Sequence, residues 1–186
     1  MTQPPSKKKT LAGLVGVVCA GILCTTVPKY EGTVLKGYRD PIGIPTKCMG
    51  DTHDVVVGKK YTVAECNASL QTQLIAHAEP VLACTPSLKG HTYQLAAAVD
   101  FAYNLGAGAY CSSVVAKRFR AGDFKGACKA MNEGDDGKPQ YVFVKDKFIP
   151  AHKENGKLIA AHWTYKQLPG LVKRRANDRK LCETGL

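Results

Sequence analysis

The chain has 186 residues, of which 45% are hydrophobic and 22% are charged, a balance typical of one globular domain with its own core. Its formal net charge of +11 favours a polyanionic partner, such as nucleic acid, an anionic membrane surface or a bacterial cell wall. The sequence contains neither zinc-finger cysteine pairs nor a run of aromatic residues interleaved with basic ones. Because these nucleic-acid-binding elements are absent, we do not expect a nucleic-acid partner.

Eight cysteines are many for a chain of this length, and no two of them form a CxxC pair. This content favours an oxidising compartment. Two of the cysteines, Cys19 and Cys24, lie in the N-terminal segment. The remaining six are an even number that favours disulfide bonds over burial as small apolar residues, with the pairing left open. These six are Cys48, Cys66, Cys84, Cys111, Cys128 and Cys182.

The N-terminal segment from Thr10 to Pro28 contains 19 residues without a charge and follows three lysines, 7–9. A bilayer core takes ~20 mostly apolar helical residues, and preceding lysines favour a cytoplasmic N-terminus. Glycine, alanine and threonine dilute the run, so its preference for lipid is weak and such a helix can insert and later leave. The residues favour uncleaved membrane insertion first, a signal peptide cleaved after Val18-Cys19-Ala20 second, and a buried core helix third.

The first part of the remaining chain predicts a short helix followed by a hairpin. Residues 31–39 have a short helical pattern that stops at Asp40-Pro41. Prolines and glycines then punctuate a β-branched stretch through Val57, as the turns of a hairpin would. This is the only clear strand region in the sequence.

Helices dominate the middle of the chain. Thr62 and Glu65 form a capping box that opens a helix from Val63 to about Ala78. After a connection over residues 80–89, an apolar stripe from Leu95 to Leu105 predicts a second helix, ended by the Gly-Ala-Gly sequence at 106–108. Two further short helices are predicted, one capped by Ser112 or Ser113 and running through Arg120, and one capped by Asp123.

The C-terminal part is less regular. Residues 133–161 predict a turn at Asp135-Asp136-Gly137 and an irregular hairpin formed by 141–144 and a turn at Asn155-Gly156. Pro169 then starts a basic helix with an apolar side, on which the charged residues are expected to be solvated. The apolar residues of this helix are Leu171, Val172, Leu181 and Cys182, and its charged residues are Arg174, Arg175, Arg179 and Lys180. Together these elements predict an α+β fold, with a small hairpin region beside a larger helical bundle.

Residues 31–50 resemble the active-site signature of the phage-type lysozymes, the endolysins similar to glycoside hydrolase family 24. The family spacing of Glu, eight residues, Asp, five residues and Thr matches at Glu31, Asp40 and Thr46. Further segments add to the resemblance, so that it covers nearly the whole chain. They are Tyr38-Arg39, Gly43-Ile44-Pro45, Lys60-Tyr61-Thr62, Ala64-Glu65-Cys66, residues 103–108, Gly170-Leu171 and Arg174-Arg175.

The resemblance implies a lysozyme-like fold and a muramidase that hydrolyses peptidoglycan glycan strands. In that family the glutamate is the general acid, the aspartate positions or deprotonates the attacking water, and the threonine helps to hold this water, with inversion at the anomeric carbon. These roles fall on Glu31, Asp40 and Thr46. No cofactor is expected, and the five histidines lack the spacing of metal ligands. We expect the enzyme to act as a monomer.

The chain departs from the family pattern in two places. Gly50-Asp51-Thr52-His53 stands where a Gly-His pair usually follows the threonine, and residues 133–161 are longer than the usual link. Asn104 is a further candidate for the lining of the cleft.

The N-terminal run resembles the signal-anchor-release segments of endolysins from phages of Gram-negative bacteria. The resemblance implies an anchor over residues 1–28 and a catalytic domain over 29–186. Residues 10–28 would hold the enzyme inactive at the periplasmic face of the host inner membrane until its release into the periplasm. Release is also expected to free Cys19 or Cys24 for disulfide exchange. The alternatives are a secreted lysozyme with a cleaved signal, a lytic transglycosylase and a non-catalytic wall-binding protein.

Overall fold

The computed structural model describes residues 9–155 and 157–186. These residues form helices and three small antiparallel sheets. The strands are β1 (Val34–Arg39), β2 (Pro45–Cys48), β3 (Phe143–Ile149), β4 (His152–Glu154), β5 (Lys157–Ile159) and β6 (His162–Gln167). The helices are α1 (Leu11–Val15), α2 (Val17–Glu31), α3 (Val63–Cys84), α4 (Thr92–Leu105), α5 (Ala107–Ser112), α6 (Val114–Arg120), α7 (Phe124–Ala130) and α8 (Pro169–Glu183).

The N-terminal segment is part of the protein core in this structure. Helices α1 and α2 are separated by Gly16, whose φ of 86° interrupts the helix, and they pack against α3 and α4. The buried residues recur every four positions, at Leu11, Val15, Cys19, Leu23 and Val27, which is the spacing of one helix face. In the part of the chain that the structure describes, no helix is long and apolar enough to cross a membrane. The structure therefore shows the third of the three alternatives given above for this segment, which is a helix packed in the core.

The helix predicted over residues 31–39 is wrong, because the hairpin begins at Val34, earlier than predicted. Helix α2 ends at Glu31, and Gly32, with a φ of 72°, turns the chain into β1. Strand β1 pairs with β2 so that Val34 faces Cys48 and Tyr38 faces Thr46. The ladder of backbone hydrogen bonds outweighs a weak helical periodicity in so short a segment.

The middle helices largely confirm the prediction. The Thr62–Glu65 capping box starts α3, Gly106 ends α4, and Ser113 and Asp123 cap α6 and α7. Two details were wrong. Helix α3 continues through Pro80 to Cys84, because Val81 and the neighbouring apolar residues still pack into the core. The segment after Gly106, predicted to be a break, forms the short helix α5.

Three disulfides confirm the prediction that the six cysteines beyond the N-terminal segment are paired. Cys19 and Cys24 remain free thiols. Burial raises the pKa of Cys19 to about 12 and also raises the pKa of Cys24. Neither thiol is therefore poised for exchange in this conformation, because the thiolate is the reactive form. The bonds are Cys48–Cys66, Cys84–Cys111 and Cys128–Cys182.

Strands β3 to β6 form a two-stranded ribbon where the sequence predicted an irregular hairpin, and its register shifts between Lys145 and Phe148. Strand β3 pairs with β6 near the base, and β4 pairs with β5 farther out. The predicted turn at 135–137 is confirmed, with Gly137 at a φ of 74°. Of the other predicted turn, Asn155 has a φ of 49°, and Gly156 lies outside the described residues.

The C-terminal helix α8 starts at Pro169 as predicted, but the expectation that its charged residues are solvated is wrong for two of them. Arg174 and Arg175 are buried, whereas Lys180 is exposed. Arg179 is half-buried and pairs with Glu133 and Glu183. The buried arginines have acidic partners inside the fold, and these partners decide the geometry of the candidate active site.

Candidate active site

Glu31 is the last residue of α2, and its side chain is 24% exposed. Its Oε1 accepts a hydrogen bond from Nη1 of Arg174 at 2.5 Å. On its other side it faces the hairpin, since a Cβ placed on Gly50 would lie 3.9 Å from Glu31 Oε2. The helix end therefore presents this carboxylate between the helical bundle and the hairpin.

Arg174 connects Glu31 to the interior of the bundle. Its Nη2 donates to Oδ1 of Asp100 at 2.8 Å, and Asp100 is fully buried on α4. Burial alone would lower the pKa of Arg174, but the Asp100 carboxylate and hydrogen bonds to Glu31 and Asp100 outweigh it and raise that pKa. The guanidinium lies 5.0 Å from the centre of the Tyr30 ring. One permanently charged group thus joins α2, α4 and α8.

A second buried pair of an arginine and a carboxyl group consists of Arg175 and Asp178. Nη2 of Arg175 is 3.0 Å from Oδ2 of Asp178, and both side chains are buried. Burial, the nearby Asp100 charge and a hydrogen bond with Asp100 raise the pKa of Asp178 well above its ordinary range. One feature of the sequence points to this cluster, because Asp100 interrupts an otherwise apolar stripe on α4. A carboxylate in such a position needs a cationic partner.

Asp40 lies at the turn between β1 and β2. Its Oδ1 accepts hydrogen bonds from the amides of Ile42 at 3.0 Å and Ile44 at 2.8 Å. Arg39 supports the same turn by donating to the carbonyl of Gly43. These contacts fix the carboxylate on a rigid turn, with Oδ2 accepting no hydrogen bond from the described residues.

Thr46 lies on β2 and is buried. Its hydroxyl donates to the carbonyl of Ile44 at 3.0 Å, while the amide of Asp40 donates to that carbonyl at 2.9 Å. The structure therefore brings Asp40 and Thr46 together around Ile44. Glu31 makes no hydrogen bond to either of them within residues 9–155 and 157–186; its described partner is Arg174.

A groove of about 620 Å³ runs beside Glu31. Glu31 is the one acidic residue among the described side chains that line it. Three of the other lining residues are basic, namely Lys29, Lys173 and Arg174. Asn104 lines it as anticipated and accepts a hydrogen bond from Arg175 at 3.2 Å. The lining residues are Lys29, Tyr30, Glu31, Asn104, Leu168, Pro169, Gly170, Leu171, Lys173 and Arg174.

The hairpin is anchored to the bundle at the position where the sequence departs from the family pattern. Asp51 is buried and accepts hydrogen bonds from the hydroxyl of Ser69 on α3 and from the amide of His53. Lys47 Nζ lies 3.4 Å from the same carboxylate. Burial raises the pKa of Asp51, but these hydrogen bonds and the Lys47 charge outweigh it and hold the pKa below its ordinary value.

A tyrosine on α4 adds a second anchor. The hydroxyl of Tyr103 lies 2.8 Å from the carbonyl of Met49 and 3.1 Å from Oε1 of Gln73. Burial and the nearby Glu31 charge raise the pKa of Tyr103, so it stays a neutral hydrogen-bonding group. Among the residues described, no three His, Cys, Asp or Glu side chains cluster in a way that could hold a metal ion.

Comparison with known proteins shows the family of the chain. The profile of the family described as phage lysozyme matches residues 28–142. The chain belongs to the phage lysozyme family. It is 30% identical to the SAR-endolysin of Enterobacteria phage PA-2 over 98% of each chain. It is 32% identical to the SAR-endolysin of Bacteriophage PS119 over 98% of this chain and 96% of that relative.

Solved structures show the same fold. The active form of the P1 phage endolysin Lyz superposes with a TM-score of 0.66 at 19% identity, covering 94% of each chain. The muramidase domain of SpmX from Asticaccaulis excentricus gives a TM-score of 0.64 at 24% identity, covering 89% of this chain and 95% of that one. This phage lysozyme therefore has the predicted α+β, lysozyme-like fold and is a lytic enzyme of the endolysin type, whose family acts on peptidoglycan.

The substitution Asp51→Asn tests the hairpin anchor. The folded pKa of Asp51 lies below its ordinary value of 3.8, so the carboxylate stabilises the fold above the unfolded pKa, and this contribution is lost as the pH falls through the folded pKa. We expect the variant to have a lower free energy of unfolding than wild type at neutral pH, with a gap that narrows below about pH 4. Denaturant unfolding across pH measures the gap.

The control for this test is Asp54→Asn, which removes the same charge from an exposed position of the same loop. The assigned role of the Asp51 carboxylate is contradicted if the free energies of unfolding of wild type and Asp51→Asn differ by the same amount at neutral and at acidic pH.

Proposed function

We propose that this phage lysozyme is a muramidase that hydrolyses the β-1,4 bonds between N-acetylmuramic acid and N-acetylglucosamine, and so lyses the bacterial host. The observation that carries the proposal is the placement of Glu31. It ends a helix with one buried face, lies at the groove and is held by a buried arginine. Peptidoglycan would be the substrate, and the enzyme would act as a monomer.

The proposed reaction uses two carboxyl groups with different surroundings. Glycoside cleavage needs an acid to protonate the leaving oxygen and a base to activate water. Glu31 would serve as the acid, and Asp40 as the base through its Oδ2, since Oδ1 is occupied by two amides. Thr46 would help to hold the water next to Asp40. As the protonated Glu31 donates to the substrate, Arg174 would keep its hydrogen bond to Asp100. Inversion at the anomeric carbon would follow from attack by this water.

The substitution Glu31→Gln keeps the size of the side chain and removes the acid. We expect it to lower the rate of peptidoglycan hydrolysis by at least about 100-fold, the usual contribution of a general acid. Clearing of a peptidoglycan suspension by the purified, folded variant measures this. Glu79→Gln, at an exposed position of α3, is the matched control. Clearing by Glu31→Gln at the wild-type rate contradicts the assignment.

Analysis of the wild-type products tests the reaction type. New reducing ends support hydrolysis, whereas 1,6-anhydro ends would identify a lytic transglycosylase. Binding without any cleavage products would identify a non-catalytic wall-binding protein.

We also propose that the enzyme is held inactive at the host inner membrane before it acts in the periplasm. Residues 10–28 would cross the bilayer with the N-terminus in the cytoplasm, so that residues 1–28 act as the anchor and 29–186 as the catalytic domain. The names of the SAR-endolysin relatives support this. So does the position of Glu31 in α2, because a helix held in lipid cannot pack against α4 or place Glu31 beside Arg174.

The substitution Gly21→Leu tests this proposal. Gly21 is exposed on α2, and a Cβ built there meets no atom within 4 Å. Leucine should therefore fit the released enzyme while strengthening its hold on lipid. We expect a larger share of the variant in the membrane fraction and later lysis, with unchanged activity of the soluble fraction.

The intact mass of soluble wild type should correspond to the full chain. A soluble form lacking about the first twenty residues, the usual export-signal length, would identify a cleaved signal peptide instead.

A further inference from the structure

The ribbon of β3 and β6 has four exposed aromatic side chains on one face. Its register pairs Lys145 with Tyr165 and Phe148 with Trp163, and cross-strand partners lie on the same face of a sheet. Phe143 joins them, since it lies two residues before Lys145. The exposed fractions are 48% for Phe143, 53% for Phe148, 42% for Trp163 and 61% for Tyr165.

Three of the side chains on this face, Lys145, Phe148 and Trp163, contact one another. The ring centres of Phe148 and Trp163 are 5.3 Å apart, and Lys145 Nζ lies 5.1 Å from the centre of the Trp163 ring. On the opposite face Lys166 is paired to Asp146 at 3.1 Å, beside the half-buried Val144 and Ile149. Exposed aromatic surface of this kind is costly in water and marks an interaction site. We call Phe143, Lys145, Phe148, Trp163 and Tyr165 the aromatic face.

The ribbon is strongly basic. Between residues 143 and 167 the sequence has five lysines and two acidic residues. One of these lysines lies within the aromatic face itself. The charge therefore complements a partner that presents carboxylates along with flat, partly apolar surfaces.

The base of the ribbon adjoins the groove beside Glu31. The amide of Leu168 donates to the carbonyl of Val142 at 2.9 Å and closes the ribbon. Leu168 and the three residues after it then line the groove beside Glu31. The ribbon therefore continues into the wall of this groove, and it begins just after residue 142, where the match to the family profile ends.

We propose that the aromatic face binds the peptidoglycan glycan strand beyond the bond that is cleaved, an inference that rests on the proposed muramidase function. The apolar C–H face of a pyranose ring stacks on an aromatic ring, and a strand of linked sugars offers many such rings in a row. The lysines match the carboxylates of the peptides that the strand carries. The ribbon would thus hold a long strand in the groove while leaving the chemistry to Glu31.

A lipid surface fits the ribbon less well. A loop that inserts into a bilayer has its apolar residues at the tip. Here the outer part of the ribbon carries Lys153, Glu154 and Lys157, with Leu158 as its one exposed large apolar side chain among the described residues. The aromatic residues lie in β3 and β6, on the side of the ribbon nearer the groove.

The double substitution Trp163→Ala and Tyr165→Ala tests the proposal. In the Glu31→Gln background, co-sedimentation with purified peptidoglycan sacculi should show binding about tenfold weaker, the loss expected for truncating aromatic contacts. With Glu31 intact, the double variant should hydrolyse sacculi with a raised KM, and should cleave a glycan fragment too short to reach the ribbon at the wild-type rate. Tyr93→Ala, which truncates an exposed aromatic residue on α4, is the control.

Each outcome decides a separate point. Unchanged sacculus binding by the double variant overturns the role of the aromatic face. Weaker binding to anionic phospholipid vesicles with unchanged binding to sacculi also overturns it, and assigns the face to lipid. Full activity of Glu31→Gln would instead overturn the proposed muramidase mechanism, whatever the ribbon binds. A matching thermal unfolding midpoint for the double variant and wild type confirms that the ribbon substitutions leave the body of the enzyme folded.

Discussion

The interaction on which the rest of the structure depends is the buried guanidinium of Arg174, shared between Glu31 and Asp100. A buried charge is tolerated only with partners that compensate its lost hydration. Asp100 meets this requirement inside the bundle, and Glu31 meets it at the groove. The same contact that stabilises the junction of α2, α4 and α8 therefore also fixes the position of the candidate catalytic acid. Fold and site are not separable at this point of the molecule.

Under the proposed membrane anchoring, the N-terminal segment would have two environments that exclude each other, the bilayer and the core of the helical bundle. Its residues are apolar enough at every fourth position to form part of the core, and free of charge over a length that suits a bilayer. Its exposed face includes two apolar residues, Val17 at 78% and Val18 at 61%, and is compatible with lipid. When α2 packs into the bundle, Glu31 meets Arg174. Membrane release as we propose it would thus complete the core and the active site in one step.

Much of the fold was predictable because local signals agreed with the tertiary structure. The capping box at Thr62, the glycine at 106 and the caps at Ser113 and Asp123 act within a few residues of where they stand. The failures have a different origin. Strand β1 and the helical course through Pro80 depend on partners distant in sequence. The burial of Arg174 depends on Asp100, 74 residues away. The spacing of apolar residues along the chain does not reveal a contact of this kind. Glu31, Asp40 and Thr46 were found by resemblance, whereas the groups that hold Glu31 were found only in the structure.

The most direct test is to measure both the free energy of unfolding and the specific activity of Arg174→Gln. The control is Lys180→Gln, which removes the same charge from an exposed position of α8. Removing one partner of a buried ion pair typically costs about 3–5 kcal/mol, whereas an exposed substitution changes stability by about 0.5 kcal/mol or less. We expect Arg174→Gln to lose stability in the first range and to lose most of its activity under conditions where it is still folded. An Arg174→Gln enzyme as stable and as active as Lys180→Gln would contradict the central role of Arg174.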